Sequence, residues 1–172
     1  MEGEIMRSCV CNTKLGWIGL AFGERGLRAA TLPQTSAHAA EDELRRRGAS
    51  EPIDAARAGD WPRLLGRYAS GEPVSFSDGL DLEQGTPFQR RVWRTLLEIP
   101  RGETRSYGWV AERIGRPGAA RAVGQAVGAN PLAIVVPCHR VVGSEGGLGG
   151  YGGGLALKEA LLRIEGVSAG AG

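Results

Sequence analysis

Nowhere in this 172-residue chain do about 18 apolar residues run together, and its start carries no basic segment leading into a long apolar stretch. Both observations point away from a membrane anchor or a secretory leader; the expectation is a soluble, cytoplasmic protein with no membrane partner. Cysteine is scarce. Three residues at irregular spacing, an odd number, argue against a disulfide framework and fit a reducing compartment. Lysine is nearly absent, and after residue 86 every basic residue except Lys158 is arginine. The glycine-rich run from Gly143 to Gly154 lacks a Gly-Lys-Ser/Thr ending, which excludes a Walker-type nucleotide triphosphate loop.

What is present suggests one ordinary domain or two small ones. The formal charge of +2 hides an uneven distribution: residues 1–85 carry a net of −3 and residues 86–172 a net of +5. A basic, arginine-biased half suits phosphate recognition, because the guanidinium fork matches phosphate geometry. Codon bias in a GC-rich genome would give the same composition.

Residues 5–32 read as an antiparallel meander, with strands at Met6–Cys11, Trp17–Phe22 and Leu27–Leu32 separated by glycine-bearing turns. A helix is expected from Ala37 to Arg47 with Ser36 as N-cap, then a loop over 48–60. A second helix is expected over Trp61–Ala69 with Asp60 as cap. After an extended connector the chain changes character at Gly85-Thr86-Pro87. There Thr86 can cap, Pro87 fits the first turn, and Gln89 stands in capping-box position. Phe88, Val92, Trp93, Leu96 and Leu97 share the apolar face of that helix. A helix opening near Ser106, the turn Gly115-Arg116-Pro117-Gly118 and a third helix over Ala119–Gly128 follow. This is the pattern of a helix-turn-helix, and equally of many small helical domains. The third helix offers few groups that read base edges: Ala120, Gly124 and Gln125 accompany one long cation, Arg121. Small residues permit close backbone approach to a groove wall, which suits sequence-independent binding and a displaced base.

The stretch Ile134–Gly143, IVVPCHRVVG, reads as buried strand interrupted by Pro137-Cys138-His139-Arg140. A thiol there is either an inert core group or a reactive one. For it to react, something must favour its anion, since a free thiol is only a few per cent ionised at neutral pH. His139 and Arg140 are adjacent, but neighbours on a strand point to opposite faces, so Cys–His cooperation needs a turn at Pro137 or a bridging water. Glu165, near the end of a C-terminal helix starting at Leu155, is a candidate to orient the imidazole; otherwise it is a solvated carboxylate. Asn130-Pro131 stops the third helix, and the Asn130 amide can tie that turn to the Cys138 segment.

Pro137-Cys138-His139-Arg140-Val141, followed by glycine-rich sequence and Tyr151, resembles the active-site signature of the O6-alkylguanine-DNA alkyltransferases, the methylated-DNA–protein-cysteine methyltransferases. The resemblance extends upstream through GTPFQRRVWRTLLEIPRGETRSYGWVAERIGRPGAARAVGQAVGANP and downstream to GLALKEALLRIEG. It implies a mixed α/β protein in two parts. Residues 1–84 would form a small antiparallel sheet with helices, ribonuclease-H-like. Residues 85–172 would form a helix-turn-helix, winged-helix-like domain that binds DNA and transfers the alkyl group. It also implies that Cys138 takes the alkyl group from O6-alkylguanine, and from O4-alkylthymine, irreversibly and once per molecule. His139 would accept the thiol proton through a water, Glu165 would orient His139, and Asn130 would hold the turn over the cysteine. Tyr107 would sit against the flipped nucleotide and assist departure of the guanine. Arg121 would fill the stack beside Ala120, Gly124 and Gln125, while Tyr151, Gly152, Val141 and Pro137 would line the guanine pocket.

The implied partner is double-stranded DNA carrying the lesion, bound by a monomer. No cofactor is implied. Some relatives carry a structural zinc, and Cys9-x-Cys11 with His38 admits one; alternate residues on one strand face are more often core cysteines. Competing readings are a non-catalytic damage-binding protein, a helix-turn-helix regulator and a cysteine hydrolase. The first would lack the acceptor cysteine, the second is short of base-reading side chains, and the third needs no DNA surface.

Overall fold

A computed structural model describes residues 3–76, 78–144 and 147–167. Glu145 and Gly146 of the glycine-rich run, and Ser77 of the connector, lie outside the described residues. The chain divides between Asp81 and Leu82 into two units, and Pro131–Val135 belongs with the first.

In the first unit, glycines make the turns. Gly16 and Gly26 adopt φ of 128° and 119°, values open to glycine and costly for other residues. They join β1 (Arg7–Thr13) to β2 (Gly16–Gly23), and β2 to β3 (Gly26–Ala30), as antiparallel neighbours. Period-2 alternation turns Cys9 and Cys11 of β1 inward, paired in register with Leu20 and Ile18. The expected sheet was purely antiparallel. Instead β4 (Glu51–Pro52) adds a fourth strand parallel to β1, giving the order β3-β2-β1-β4, so the sheet is mixed. Residues 48–60, expected as loop, therefore contain that edge strand and a 3₁₀ turn at Ala55–Ala58. Two residues, one of them proline, leave no alternation to read, and an edge strand is where a sheet tolerates proline.

Helix α1 (Ala37–Arg46) is capped by Ser36, whose hydroxyl accepts from Ala39 N at 3.1 Å, and buries Ala40 and Leu44. Helix α2 (Trp61–Ala69) starts where expected, but Asp60 does not cap it. That carboxylate instead lies 3.4 Å from Arg63. Pro131–Val135 joins this unit through backbone bonds: Ala30 N donates to Pro131 O at 3.0 Å, and Ala133 N to Ala30 O at 3.1 Å.

The second unit is helical. Helix α3 (Pro87–Leu96) carries the full capping box: Gln89 N donates to Thr86 Oγ1 at 3.1 Å, and Thr86 N to Gln89 Oε1 at 3.0 Å. Its Val92, Trp93 and Leu96 are buried, each side chain worth about 1.5–3 kcal/mol in transfer terms. β5 (Arg105–Ser106) runs straight into α4 (Tyr107–Arg113), capped by the Ser106 hydroxyl. The turn at Gly115–Gly118 leads to α5 (Ala120–Gly128), and Trp93 Nε1 donates to Ala126 O at 2.9 Å, tying α5 to α3. β6 (Val141–Val142) pairs in parallel with β5, and α6 (Leu155–Ile164) closes the unit. No helix among the described residues is long and apolar enough to cross a membrane.

Ile134-Val135-Val136, expected as strand, is not one. The segment is a series of tight turns in which Val135 N donates to Ala133 O at 2.7 Å and Cys138 N to Val136 O at 2.8 Å. All three side chains are buried. Burial of β-branched residues is what the pattern encoded; Pro137, which lacks an N–H, lets the backbone satisfy itself locally rather than in a ladder.

Candidate active site

Parallel pairing of β5 with β6 positions the site. Arg105 is opposite Val141 and Ser106 opposite Val142, so Tyr107, the next residue after β5, is level with Gly143 at the start of the glycine-rich run, while the segment 138–140 leads into the other end of β6. That segment, Cys138–Arg140, is a single 3₁₀ turn. A turn removes the opposite-face constraint that a strand would impose on Cys138 and His139.

Cys138 is buried, and desolvation pushes its thiol pKa up. Three groups oppose that effect: the Asn130 amide, the Tyr151 hydroxyl and the charge of Lys158. The Asn130 Nδ2 also donates to Val136 O at 2.9 Å, which fixes the turn in front of the cysteine. The buried Tyr151 hydroxyl has no partner of full hydrogen-bond geometry among the described residues; Cys138 is the group it approaches. Tyr107 is close enough that a Cys138 thiolate disfavours its phenolate, and burial raises its pKa first. Its ring is flanked by two glycines: a Cβ on Gly124 would lie 3.8 Å from it, and one on Gly149 only 3.3 Å.

His139 is fully buried, its Nε2 lying 2.6 Å from Glu165 Oε2. Glu165, the C-cap of α6, also accepts from Arg140, Nε to Oε1 at 2.7 Å and a terminal nitrogen to Oε2 at 3.1 Å. A carboxylate so surrounded by donors is an acceptor, so the His139 proton belongs on Nε2 and the lone pair on Nδ1. Burial lowers the His139 pKa, although the Glu165 contact opposes that. The imidazole is therefore neutral and able to take a proton. Arg140 completes its bonding with a 2.7 Å donation to Ile99 O.

The structure thus gathers Cys138, Asn130, Tyr107 and Tyr151 around one thiol, and His139 with Glu165 beside it. Pro137 and Val141 flank the turn and are buried; Gly152 is exposed, with open space where a Cβ would stand. Arg121 and Gln125 are exposed one helical turn apart on α5, with Ala120 and Gly124 partly buried beside them. No described carboxylate pairs with Arg121. By contrast Arg90 and Arg94 both bond Glu83, and Arg113 bonds Glu98 at 3.0 Å.

Sequence reasoning missed Lys158. Its Nζ is buried and donates to Val141 O at 2.6 Å, to Leu148 O, and to Gly150 O at 3.3 Å. The available signal was its isolation as the sole lysine among the arginines of the second half. The three residues of the zinc reading are not brought together as a ligand set. Cys9 and Cys11 are buried on one strand face, and burial pushes Cys11 up to about 11, whereas His38 is exposed on α1 and pairs with Asp42. Among the described residues, no three such side chains converge as metal ligands.

Comparison with known proteins places this geometry in context. The model for the DNA-binding domain of 6-O-methylguanine DNA methyltransferase matches residues 87–167. A methylated-DNA–protein-cysteine methyltransferase of Mycolicibacterium paratuberculosis is 64% identical over 101 residues, covering 59% of this chain and 61% of the relative, so the match spans about three fifths of that protein. The Shigella flexneri protein of the same name is 52% identical over 122 residues, covering 70% of this chain and 71% of its own. A crystal structure of Mycobacterium tuberculosis OGT in complex with DNA superposes with a TM-score of 0.79 at 44% identity, covering 95% of this chain and 96% of that one. A mixed α/β architecture shared over nearly the full length, a 52% identical relative covered to 71%, and a family-model match that spans the Cys138 turn lead to one conclusion: this chain belongs to the methylated-DNA–protein-cysteine methyltransferase family.

Proposed function

We propose that this protein repairs O6-alkylguanine in DNA by moving the alkyl group to Cys138, once per molecule. The observation that carries the reading is the environment of Cys138: a buried thiol faced by Asn130 and Tyr151, beside a neutral His139 locked by Glu165. His139 Nδ1 accepts the thiol proton through a water. The thiolate then attacks the alkyl carbon in line; the S–C bond forms as the C–O6 bond breaks, and the electron pair passes to the guanine ring. Tyr107 supplies a proton to the departing base, and the proton on His139 replaces it. The net change is thiol plus alkylguanine to thioether plus guanine. A thioether has no acidic proton and no easy leaving group, so the protein is consumed.

In the same reading α4 and α5 act as the helix-turn-helix of a winged-helix-like domain, and the first unit as a ribonuclease-H-like one. Arg121, exposed and without a described carboxylate partner, enters the stack where the base is extruded, which offsets the few kcal/mol that flipping costs. Tyr151, Gly152, Val141 and Pro137 border the base. Open space at Gly152 favours acceptance of alkyl groups larger than methyl. O4-alkylthymine is a second substrate of the same chemistry. The same reading takes the protein to act as a monomer.

A damage-binding protein without transfer needs no thiol assembled in this way, and a hydrolase would release its product. The test is intact-protein mass after mixing with a duplex carrying O6-methylguanine. A gain of one methyl, absent in Cys138→Ala, supports the reading; no gain overturns it.

A further inference from the structure

The geometry points to Lys158 as a positioning residue for the transfer, whose ammonium holds the glycine-rich rim in place and biases both Cys138 and His139 toward their reactive forms. This rests on the alkyl-transfer reading and adds to it the cation that the thiol requires. The adjacent candidates do not serve. Arg140 spends its donors on Glu165 and the Ile99 carbonyl, and burial keeps His139 neutral.

Lys158 is different in placement and in bonding. It lies on α6 with no exposed surface. An ammonium has three N–H donors, and here they meet three carbonyls, Val141 on β6 and Leu148 and Gly150 in the glycine-rich run. Val141 directly follows the Cys138–Arg140 turn, and Gly150 directly precedes Tyr151. One side chain therefore ties the strand leaving the thiol to the loop that brings Tyr151 to it. Among the described residues no carboxylate bonds to it; its partners there are carbonyl oxygens alone. The groups facing Cys138 are Asn130, Tyr107, Tyr151 and Lys158, and of these Lys158 alone carries a full positive charge. That charge lowers the Cys138 pKa and also lowers the His139 pKa, so one ammonium favours a thiolate and a neutral imidazole together. Desolvation brings Lys158 itself down to about 8, close to working pH, and a Cys138 thiolate raises it again.

The experiment measures the pH dependence of Cys138 carboxamidomethylation by iodoacetamide, read on the Cys138 peptide by mass spectrometry, in wild type, Lys158→Met and Lys158→Arg. Transfer from an O6-methylguanine duplex is followed in parallel. Lys158→Met is expected to raise the Cys138 midpoint by about one pH unit, the lower end of the effect of a neighbouring opposite charge. Both reactions should then slow about tenfold at neutral pH. Lys158→Arg should bring the midpoint back to the wild-type value or below it, on a sharper curve than that of wild type. A purely structural role would slow transfer equally at every pH, and coincident midpoints in all three proteins would overturn the inference. If Lys158→Met does not fold, wild type against Lys158→Arg decides. The arginine keeps its charge through pH 10, so its curve should be a single-proton titration at or below the wild-type midpoint, whereas wild type broadens as Lys158 discharges. Superimposed curves overturn the inference. Failure of wild type to accept a methyl group from DNA would remove the alkyl-transfer reading while leaving the thiol titration interpretable.

Discussion

Glu165 Oε2 lies 2.6 Å from His139 Nε2, both side chains fully buried, and the same carboxylate holds Arg140 through two further bonds. One acid thus fixes the tautomer of the proposed base and neutralises its cationic neighbour. Glu165→Gln keeps the shape and removes the charge. Losing a charge-assisted hydrogen bond beside a buried guanidinium is expected to cost about 1.5–3 kcal/mol. The transfer rate should fall by about a hundredfold, the low end of what general base catalysis contributes. Urea unfolding and single-turnover kinetics measure the two effects separately.

Asn130 acts on the other side of the thiol. Asn130→Ala removes the 2.9 Å donation to Val136 O and the amide that favours a Cys138 anion. Stability should drop by about 1 kcal/mol, as for one partly buried hydrogen bond. The Cys138 titration midpoint should rise in the same variant; an unchanged midpoint would remove Asn130 from the account of thiol activation.

Gly149 sets how closely the glycine-rich run approaches Tyr107. It sits at φ 70°, and a Cβ there would lie 3.3 Å from both the ring and the hydroxyl of Tyr107. Gly149→Ala should lower stability by about 1–2 kcal/mol through backbone strain, and displacement of Tyr107 should slow transfer. Gly152→Ala meets open space and should do neither. Thermal unfolding and single-turnover rates of the two variants make the comparison.

Buried thiols make stability depend on pH in the alkaline range. Cys11 rises from an ordinary 9.0 to about 11, and Cys9 and Cys138 are raised as well, each by burial first. Between about pH 9 and 11 the unfolded chain releases thiol protons that the folded chain keeps, so stability must fall as pH rises. Lys158, lowered to about 8, works in the opposite sense up to its ordinary 10.5, one group against three thiols and, from about pH 10, the raised hydroxyls of Tyr107 and Tyr151. On the acid side His139 is lowered by burial from 6.5. The unfolded chain binds that proton first, and stability falls as pH drops below 6.5. Thermal midpoints across the pH range should peak between these limits; a midpoint still rising from pH 9 to 11 would contradict the burial of the cysteines.

Much of this was legible in the chain. Periodicity placed the three antiparallel strands, and capping chemistry at Ser36 and Thr86 placed two helix starts to the residue, while the helix expected near Ser106 proves to be capped by it. Those signals are local, and the structure uses them locally. Asp60 misled because its backbone is already helical, φ −82° and ψ −4°, not the extended geometry in which a side chain caps. Ile134–Val136 misled because apolar runs report burial, not the strand geometry inferred from it. The partnership of Glu165 with His139 was readable only as one of two alternatives, between which the family resemblance chose, since 26 residues separate them. The cage around Lys158 was not readable at all: its partners are backbone carbonyls, which every sequence supplies.

The central claim is that Cys138 reacts once and is spent. Its most direct test is stoichiometry, with a known amount of protein incubated with excess duplex containing O6-methylguanine and the guanine restored in DNA measured over time. A plateau at one guanine per protein molecule, with the alkyl group located on the Cys138 peptide, is the predicted result. Continued repair beyond one equivalent, or none at all, would contradict it.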